Sequence, residues 1–545
     1  MAYTARFRPY LIDALAHYSP EKLVADMFAG MTVGVIALPL ATAFAIASGL
    51  RPEAGIFTSI IAGFMISALG GSRVQIGGPA GAFIVIVYGI VQQYGEANLL
   101  VATMFAGVLL FLMGLFKIGT LIRHIPVSIV IGFTNGIAVL IALSQIKDFL
   151  GLPLKSVPAE FFAQVHTLAQ HLPETSLQTL GLGLACLVGI LLWPKTYKHY
   201  HWAALRMMAR IPGTIIAVVI GMVAVKVFHL DVATIGTRFG GIPQGLPDFD
   251  LPGFDWDSVR HLISPAITIA LLSAIESLLC ARVADGIIGD RHNPSQELMG
   301  QGLANIVAPL FGGFCATGTI ARTVANIRSG AVSPISGIVH SLMLLLIILV
   351  AAPWAKDVPL ASLSAILLFV AYNMGEWKQF LLMRHFTLNY RVILLSAFLL
   401  TVVVDLTMAV EAGLVLASLF FITRVASLTF LEPVESATPG LRIYRLHGSL
   451  FFGSVSKIEH LLDPNANFPR WLLLDFSPLL NLDTTGLEAL KEIADLLEKH
   501  DGEMLICGSH SQVDSLIHRS GFAEHLGEAH LFPDVETAEK WVATQ

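Results

Sequence analysis

Apolar residues run in long blocks along most of the chain, near residues 24–48, 54–69, 97–116, 125–150, 177–193 and 212–229, and again near 263–288, 297–311, 331–351, 359–375, 391–408 and 410–428. A helix needs about 20 apolar residues to cross a bilayer, so each block predicts a membrane span. Between the second and third block of each series a shorter stretch opens on glycine. It reads Gly77-Gly78-Pro79-Ala80-Gly81-Ala82-Phe83 in the first series and Gly312-Gly313-Phe314-Cys315-Ala316-Thr317-Gly318-Thr319 in the second. Counting each as half a span predicts fourteen elements, seven in each series. The first block is too long for a signal-peptide core and lacks a convincing cleavage pattern, so it is expected to stay as a span.

Past Pro433 the pattern changes to that of a soluble fold. Residues 442–452, 470–476 and 503–508 read as strands, and 484–500 and 511–518 as helices. The expectation is an α-helical polytopic membrane protein with a small C-terminal α/β domain. Residues 1–22 form its N-terminal segment, 23–230 and 263–430 two repeats, 231–262 an extracytoplasmic loop and 440–545 the soluble domain.

Composition sharpens this picture. Of 545 residues, 55% are hydrophobic and 13% charged, against roughly 25% charged in a soluble domain, which excludes an ordinary cytosolic enzyme. The net charge of −6 is unevenly split: residues 440–545 hold 8 Lys and Arg against 16 Asp and Glu, leaving 25 and 23 in residues 1–439. Neither part has the strongly basic face that a nucleic-acid partner requires. Cys186, Cys280, Cys315 and Cys507 form no CxxC or metal-ligand spacing, so neither a metal site nor a disulfide framework is expected.

Basic residues orient the chain by the positive-inside rule. With Arg6, Arg8 and Lys22 inside, the loops holding Lys117 and Arg123, then Lys195, Lys198, Arg206 and Arg210, then Lys378, Arg384 and Arg391 are cytoplasmic, and the acidic loop 231–257 lies outside. An odd number of elements per half inverts the second half relative to the first. That arrangement brings two interrupted elements to the bilayer midplane.

A helix that starts inside the bilayer leaves its first N–H groups unpaired and electropositive, and an anion answers both needs. In an inverted pair, the N–H groups near Ala80, Gly81 and Ala82 point toward those near Thr319, Ile320 and Ala321 and form an anion pocket. Gly77, Gly78 and Gly318 would let a ligand reach the backbone; the plainer alternative is that they only let helices pack closely.

Ionisable side chains within spans are costly unless paired or hydrated. Glu276 lies 43 positions before Thr319, as Pro39 lies 43 before Ala82, so it takes the place that a proline holds in the first repeat. A carboxylate beside an anion must hold a proton or a metal cation, which would couple two fluxes; alternatively Glu276 is a structural partner of Arg322 or Arg282. Arg322 would place a full positive charge behind the half-helix start, or neutralise Glu276. Phe44 either lines the cavity or packs, and Asp405 and Glu411 read as structural acids near a helix break. No Walker lysine, dinucleotide fingerprint, HExxH or Ser/His/Asp order is present, so ATP-driven transport and hydrolysis are not expected.

The segments Leu38-Pro39 through Phe44, Gly77-Gly78-Pro79, Ser273-Ala274-Ile275-Glu276-Ser277-Leu278-Leu279 and Ala316-Thr317-Gly318-Thr319-Ile320-Ala321-Arg322-Thr323 together resemble the sulfate permease (SulP) family of anion transporters. Leu482-Asp483-Thr484-Thr485-Gly486-Leu487 resembles the signature of the STAS domain. The resemblance covers nearly the whole chain in the family's order. It implies a 7+7 inverted repeat with two half-helices, a core domain moving against a gate domain as an elevator, a dimer, and a cytosolic STAS domain. It carries the anion site onto Ala80, Gly81, Gly318, Thr319, Ile320 and Ala321, with Phe44 lining the pocket, and the coupling-ion position onto Glu276.

Two departures bear on coupling. Leu40 follows Pro39 where many relatives are polar, and Glu276 stands where sodium-coupled relatives have Asp, which favours a proton over Na+. The run 273–328 looks closest to bacterial members associated with C4-dicarboxylate uptake. In the tail, Thr485 and Glu488 fit a capping box, while the likeness to anti-sigma antagonists implies phosphorylation at Thr484 or Thr485. The expected function is secondary active transport of a small anion (dicarboxylate, sulfate or bicarbonate) across a bacterial inner membrane. Both termini are expected to be cytoplasmic, with no cofactor beyond the coupling cation, a homodimeric state and a cytosolic regulator at the STAS domain. A Na+-coupled bicarbonate or sulfate symporter, an anion exchanger, an anion channel and a STAS-linked anion sensor stand as alternatives.

Overall fold

Ser19 opens the first long helix, its side chain accepting from the Lys22 N–H at 3.4 Å, and Pro20 supplies a φ already suited to a first turn. That helix is α1 (Pro20–Ala47), followed by α2 (Pro52–Leu69), α3 (Phe83–Tyr94), α4 (Glu96–Leu115), α5 (Val127–Leu150), α6 (Leu177–Leu192) and α7 (Gly213–Phe228). A second series follows: α8 (Trp256–Ile288), α9 (Pro294–Val307), α10 (Ile320–Arg328), α11 (Ile335–Ala355), α12 (Leu360–Met374), α13 (Leu388–Val403) and α14 (Leu406–Ala426). The structure, a computed structural model, describes residues 5–16, 18–122, 126–154, 156–193, 213–245, 249–251, 256–404, 406–462 and 468–545. Arg123, Lys195, Lys198, Arg206, Arg210, Asp405 and part of the loop 231–257 lie outside the described residues.

Seven of the described helices, α1, α2, α4, α5, α8, α11 and α14, are long and apolar enough to cross a membrane. Two bent pairs pass the same test together: Phe161–Glu174 with α6, at 112°, and α12 with Trp377–His385, at 41°. The block at 297–311 is not one helix. After α9 a 3-10 turn, Ala308–Phe311, tightens around Pro309, and Gly312 ends it with φ 69°. The chain then runs extended to Thr319, so α10 starts well inside the fold.

The helices fall into two packing groups. α4 packs on α8 and α9, α1 on α2 and α11, and α2 on α9 and α11, while α5 packs on α12 and α13, and α6 on α7 and α12. Small residues permit the closest of these contacts. A Cβ on Gly107 of α4 would sit 2.7 Å from the Gly302 carbonyl oxygen of α9, and one on Gly302 would sit 2.6 Å from that of Gly107. Two buried acids tie the halves together at backbone N–H groups. Glu297 accepts from Gly71 and Ser72 at 2.8 and 2.9 Å, and Asp26 accepts from Val332 and Ser333 at 2.8 and 3.1 Å.

The chain divides into two compact units, Met1–Leu414 and Val415–Gln545. In the second, β3 (Phe430–Val434), β4 (Leu441–Leu450), β5 (Trp471–Asp475), β6 (Leu479–Leu482), β7 (Glu503–Cys507) and β8 (Leu531–Phe532) form a sheet of order β3-β4-β5-β7-β8, with β6 also paired to β4. Only the β3–β4 pair is antiparallel. Helices α15 (Thr484–Glu498) and α16 (Ser511–Arg519) bury one face with Leu474, Leu490 and Val513, and α17 (Val535–Val542) buries the other with Leu473, Leu505 and Ala538. Strands β3, β6 and β8 go beyond the sequence reading, being too short or too exposed to show a period.

The expected capping box at Thr485 and Glu488 does not form. Asp483 is the N-cap: Oδ1 accepts from the Gly486 N–H at 2.8 Å and Oδ2 from the Phe452 N–H at 3.2 Å. The helix therefore begins at Thr484, and both Thr484 and Thr485 stand exposed in its first turn.

Candidate anion site

Two short strands cross where the interrupted elements meet. β1 (Gly77–Gly78) pairs antiparallel with β2 (Thr317–Gly318), Gly77 opposite Gly318 and Gly78 opposite Thr317, all buried. Because the ladder is antiparallel, the two segments leave it in opposite directions, one into α3 and the other into α10. The glycines here serve an extended backbone crossing, and Gly77 also lies against α2, at Ile66.

Thr319 fixes the crossing more than it offers a ligand contact. Its N–H and its hydroxyl both donate to the Ile76 carbonyl, at 2.9 and 3.0 Å, and the Ile76 N–H donates to Thr323 Oγ1 at 3.0 Å. Within α10, Thr323 N–H bonds the Thr319 carbonyl. That leaves the N–H groups of Ile320, Ala321 and Arg322, at the helix start, without an acceptor among the described residues, with Ile320 and Ala321 exposed. At α3 the N–H groups of Phe83 and Ile84 bond back to Ala80 and Gly81 at 3.1 Å, while those of Gly81 and Ala82 have no acceptor among the described residues.

Side chains close around Gly81. A Cβ at that position would lie 3.5 Å from Phe44, 3.4 Å from Ile141 and 3.8 Å from the Met374 sulfur. Phe44 thus stands at the pocket wall beside the α3 start. Ile141 of α5 and Met374 of α12 join it without any sequence signal, since an all-apolar helix does not mark which face meets a partner.

Arg322 is buried behind the crossing, 1% exposed, with Nη1 donating to Ser59 Oγ at 3.2 Å and Nη2 to the Pro79 carbonyl at 3.5 Å. It passes Gly78, whose φ is +152° and where a Cβ would stand 2.4 Å from Nη1. Among the described residues no carboxylate pairs with it. A buried cation without a counter-charge is costly, and an anion at the two helix starts would supply that charge.

Glu276 pairs with neither Arg322 nor Arg282. On α8, the Ser273 carbonyl accepts from Thr317 Oγ1 at 3.0 Å and Cys280 Sγ donates to Thr323 Oγ1 at 3.2 Å. Those two residues define the face of α8 that meets β2 and α10, and Glu276, one turn from each, shares it. Nearby, the buried Ser273 Oγ and Gln75 Oε1 have no partner among the described residues, while Gln75 Nε2 donates to Ser277 Oγ at 2.8 Å. Glu411 is exposed.

The sulfate permease family model matches residues 23–396, and the STAS domain model matches residues 433–538. "Putative sulfate transporter YvdB" of Bacillus subtilis is 41% identical over 541 residues, covering 98% of each protein. "Bicarbonate transporter BicA" of Picosynechococcus sp. is 29% identical over 517 residues, covering 89% of each. Among solved structures, the transmembrane domain of a cyanobacterium bicarbonate transporter BicA overlays 72% of this chain and 98% of its own, with a TM-score of 0.65 at 30% identity. The SLC26A9 structure overlays 98% of this chain and 92% of its own, with a TM-score of 0.85 at 19% identity, so it shares the fold. The chain belongs to the sulfate permease family of membrane anion transporters and carries a C-terminal STAS domain.

Proposed function

We propose that this member of the sulfate permease family is a secondary active transporter that moves a small oxyanion together with a proton. The observation that carries the reading is the Gly77–Gly318 pairing, which gathers the unpaired N–H groups of two opposed helices and the Arg322 charge around one place. Sulfate, bicarbonate and the carboxylates of a dicarboxylate all accept N–H bonds, and the names of the relatives, sulfate and bicarbonate transporters, support an oxyanion.

Coupling follows from charge. A deprotonated Glu276 beside the α10 start repels an arriving anion; a protonated one does not, so anion and proton bind together or not at all. The two helix groups supply the parts of an elevator, with α1, α2, α4, α8, α9 and α11 carrying the site against α5, α6, α7, α12 and α13. Lys117, Arg384 and Arg391 support an orientation with both termini in the cytoplasm of a bacterial cell, as a homodimer. The exposed Thr484 and Thr485 give the STAS domain a place where a cytosolic regulator or a phosphate could act.

The test is uptake into proteoliposomes of labelled sulfate, bicarbonate and fumarate, with and without sodium and at two pH gradients. Saturable accumulation driven by an inward proton gradient is the expected result. Conductance without saturation would instead make the chain a channel, and sodium dependence would replace the proton.

A further inference from the structure

Ser277, next to Glu276 on α8, is fully buried, and three side chains converge on its hydroxyl. Gln75 Nε2 donates to it at 2.8 Å, while Gln301 Oε1 lies 3.1 Å and Glu297 Oε1 3.4 Å away. Gln301 Nε2 donates to the Ala316 carbonyl at 2.8 Å, which fixes Oε1 as the atom turned toward Ser277. One hydroxyl hydrogen therefore faces two acceptors.

The shorter contact gives that hydrogen to Gln301, so an ionised Glu297 Oε1 would face only a lone pair of Ser277, in a place where Glu297 itself is fully buried. That is costly. A proton on Glu297 Oε1 closes the set: Glu297 donates to Ser277, Ser277 donates to Gln301, and Oε2 keeps the N–H groups of Gly71 and Ser72. No cation pairs with Glu297 among the described residues. On the helices that α9 packs against, α2, α4 and α8, Glu53 and Glu96 stand at the far ends, Arg282 is exposed, and Asp285 is held by His292. In the neighbouring loops Lys117 is exposed, and Arg73 lies 3.6 Å from Asp290.

Glu297 also lies at one end of a polar line. Gln75 sits under the crossing, against Gly318, and Ser273 is one turn before Ser277; both carry a buried oxygen without a partner among the described residues. From there the line runs through Ser277 to Glu297 and the turn 70–72, where the N-terminal segment docks: Tyr10 N–H donates to the Gly70 carbonyl at 3.0 Å and Arg8 N–H to Gln296 Oε1 at 2.7 Å. In the orientation proposed above this is the cytoplasmic end.

We propose that Glu297 is a second proton-holding acid, through which the coupling proton leaves Glu276 for the cytoplasm by way of the Ser277 hydroxyl. Glu297 gives its proton to water at the turn 70–72, Ser277 passes its hydrogen to Glu297 Oε1, and Ser277 takes the proton that Glu276 releases. Glu276 ends ionised, while Ser277 and Glu297 end as they began. The relay rests on the proton-coupled reading; the proton on Glu297 does not, and it can be measured in the resting protein.

In the full chain at pH 7, infrared difference spectra between the parent and Glu297→Gln should show the carbonyl stretch of a protonated carboxylic acid belonging to the parent. A carboxylate band in its place would overturn the assignment. The amide keeps an oxygen for Gly71 and Ser72 and turns an N–H toward Ser277, so Tm should be unchanged; a marked fall would make Glu297 an ionised clamp instead.

In proteoliposomes, Glu297→Gln and Ser277→Ala should each slow proton-driven sulfate uptake about tenfold or more, and Ser277→Thr, which keeps the hydroxyl, should restore it. Counterflow of labelled sulfate at equal pH moves no net proton and should stay within about twofold of the parent, which a merely structural role would not allow. Parental proton-driven rates in both variants, or an equal fall in both modes, would overturn the relay. Parent uptake driven by sodium alone would remove the coupling reading and the relay with it, and the infrared band would still decide the proton on Glu297.

Discussion

Gly77 and Gly318 face each other across a two-residue antiparallel ladder that joins the halves of the membrane unit where both short helices start. Neither has room for a side chain: a Cβ on Gly77 would lie 2.3 Å from Ile66 Cδ1, and one on Gly318 1.7 Å from Gln75 Nε2. Gly318→Val is therefore expected to displace Gln75, part the strands and lower saturable uptake about 100-fold or more, on the scale of losing positioned contacts to a substrate. Normal affinity for the transported anion in this variant would remove the crossing as the binding place.

Arg322→Gln takes away a charge whose hydrogen-bond partners among the described residues are one hydroxyl and one carbonyl. A hydrogen bond to a charged group contributes about 1.5–3 kcal/mol, so anion affinity should fall roughly 10–150-fold. The unliganded protein should lose little stability, because a buried unpaired cation is itself unfavourable. Thermal unfolding with and without sulfate reads both effects; an anion-dependent rise in Tm as large as in the parent would contradict the assignment.

Glu276→Gln should abolish accumulation against a gradient while counterflow of labelled anion persists, since the amide mimics the protonated acid but cannot release a proton. Proton-driven accumulation at the parent level would rule out Glu276 as the coupling group.

Asp483→Ala removes a side chain that accepts two backbone N–H groups at the start of α15. Loss of such a cap costs about 1 kcal/mol and should lower the STAS unfolding midpoint by several degrees. Thr485→Ala should change it by less than about 0.5 kcal/mol, as an exposed first-turn position does. Equal effects of the two substitutions would restore Thr485 as the cap.

Acid should weaken the STAS domain through Asp475. Burial opposes its charge, but the Ser477 hydroxyl and the Arg445 guanidinium, 2.8 Å away, outweigh burial and hold the carboxyl below its ordinary range. A depressed folded pKa gives stability that is complete above the unfolded value, near 3.9, and is lost as pH falls through the folded value. The stability difference between the parent and Asp475→Asn, followed by denaturant unfolding, should be level from pH 5 to about 7 and shrink below about pH 4. A difference that grows on acidification would reverse the assignment.

Much of the architecture could be read in advance because burial in lipid and burial in a soluble core leave different marks. The apolar blocks and the change of period after Pro433 are properties of the local chain. So is the break at Gly77-Gly78-Pro79, where Pro lacks an N–H and glycine weakens a helix. Which donors stay free was less visible. Thr319 looks like a binding residue in sequence, yet its amide and hydroxyl are taken by Ile76 from the other half. Asp-Thr-Thr-Gly offers three side chains that could cap α15, and the winner depends on where β6 delivers the chain to the helix.

The amino-acid sequence alone determined which solvent each segment prefers, where two helices must be interrupted, and that Glu276 and Arg322 are costly enough in an apolar setting to require a reason. These follow from local composition and spacing. Tertiary structure alone decided that Gly77 lies against Gly318, that Arg322 has no acidic partner among the described residues, and that Lys147, Arg238 and Gln164 line one cavity. Those pairings join residues far apart in the chain, and their register is set by the packing of whole helices rather than by any interaction that neighbouring residues can express.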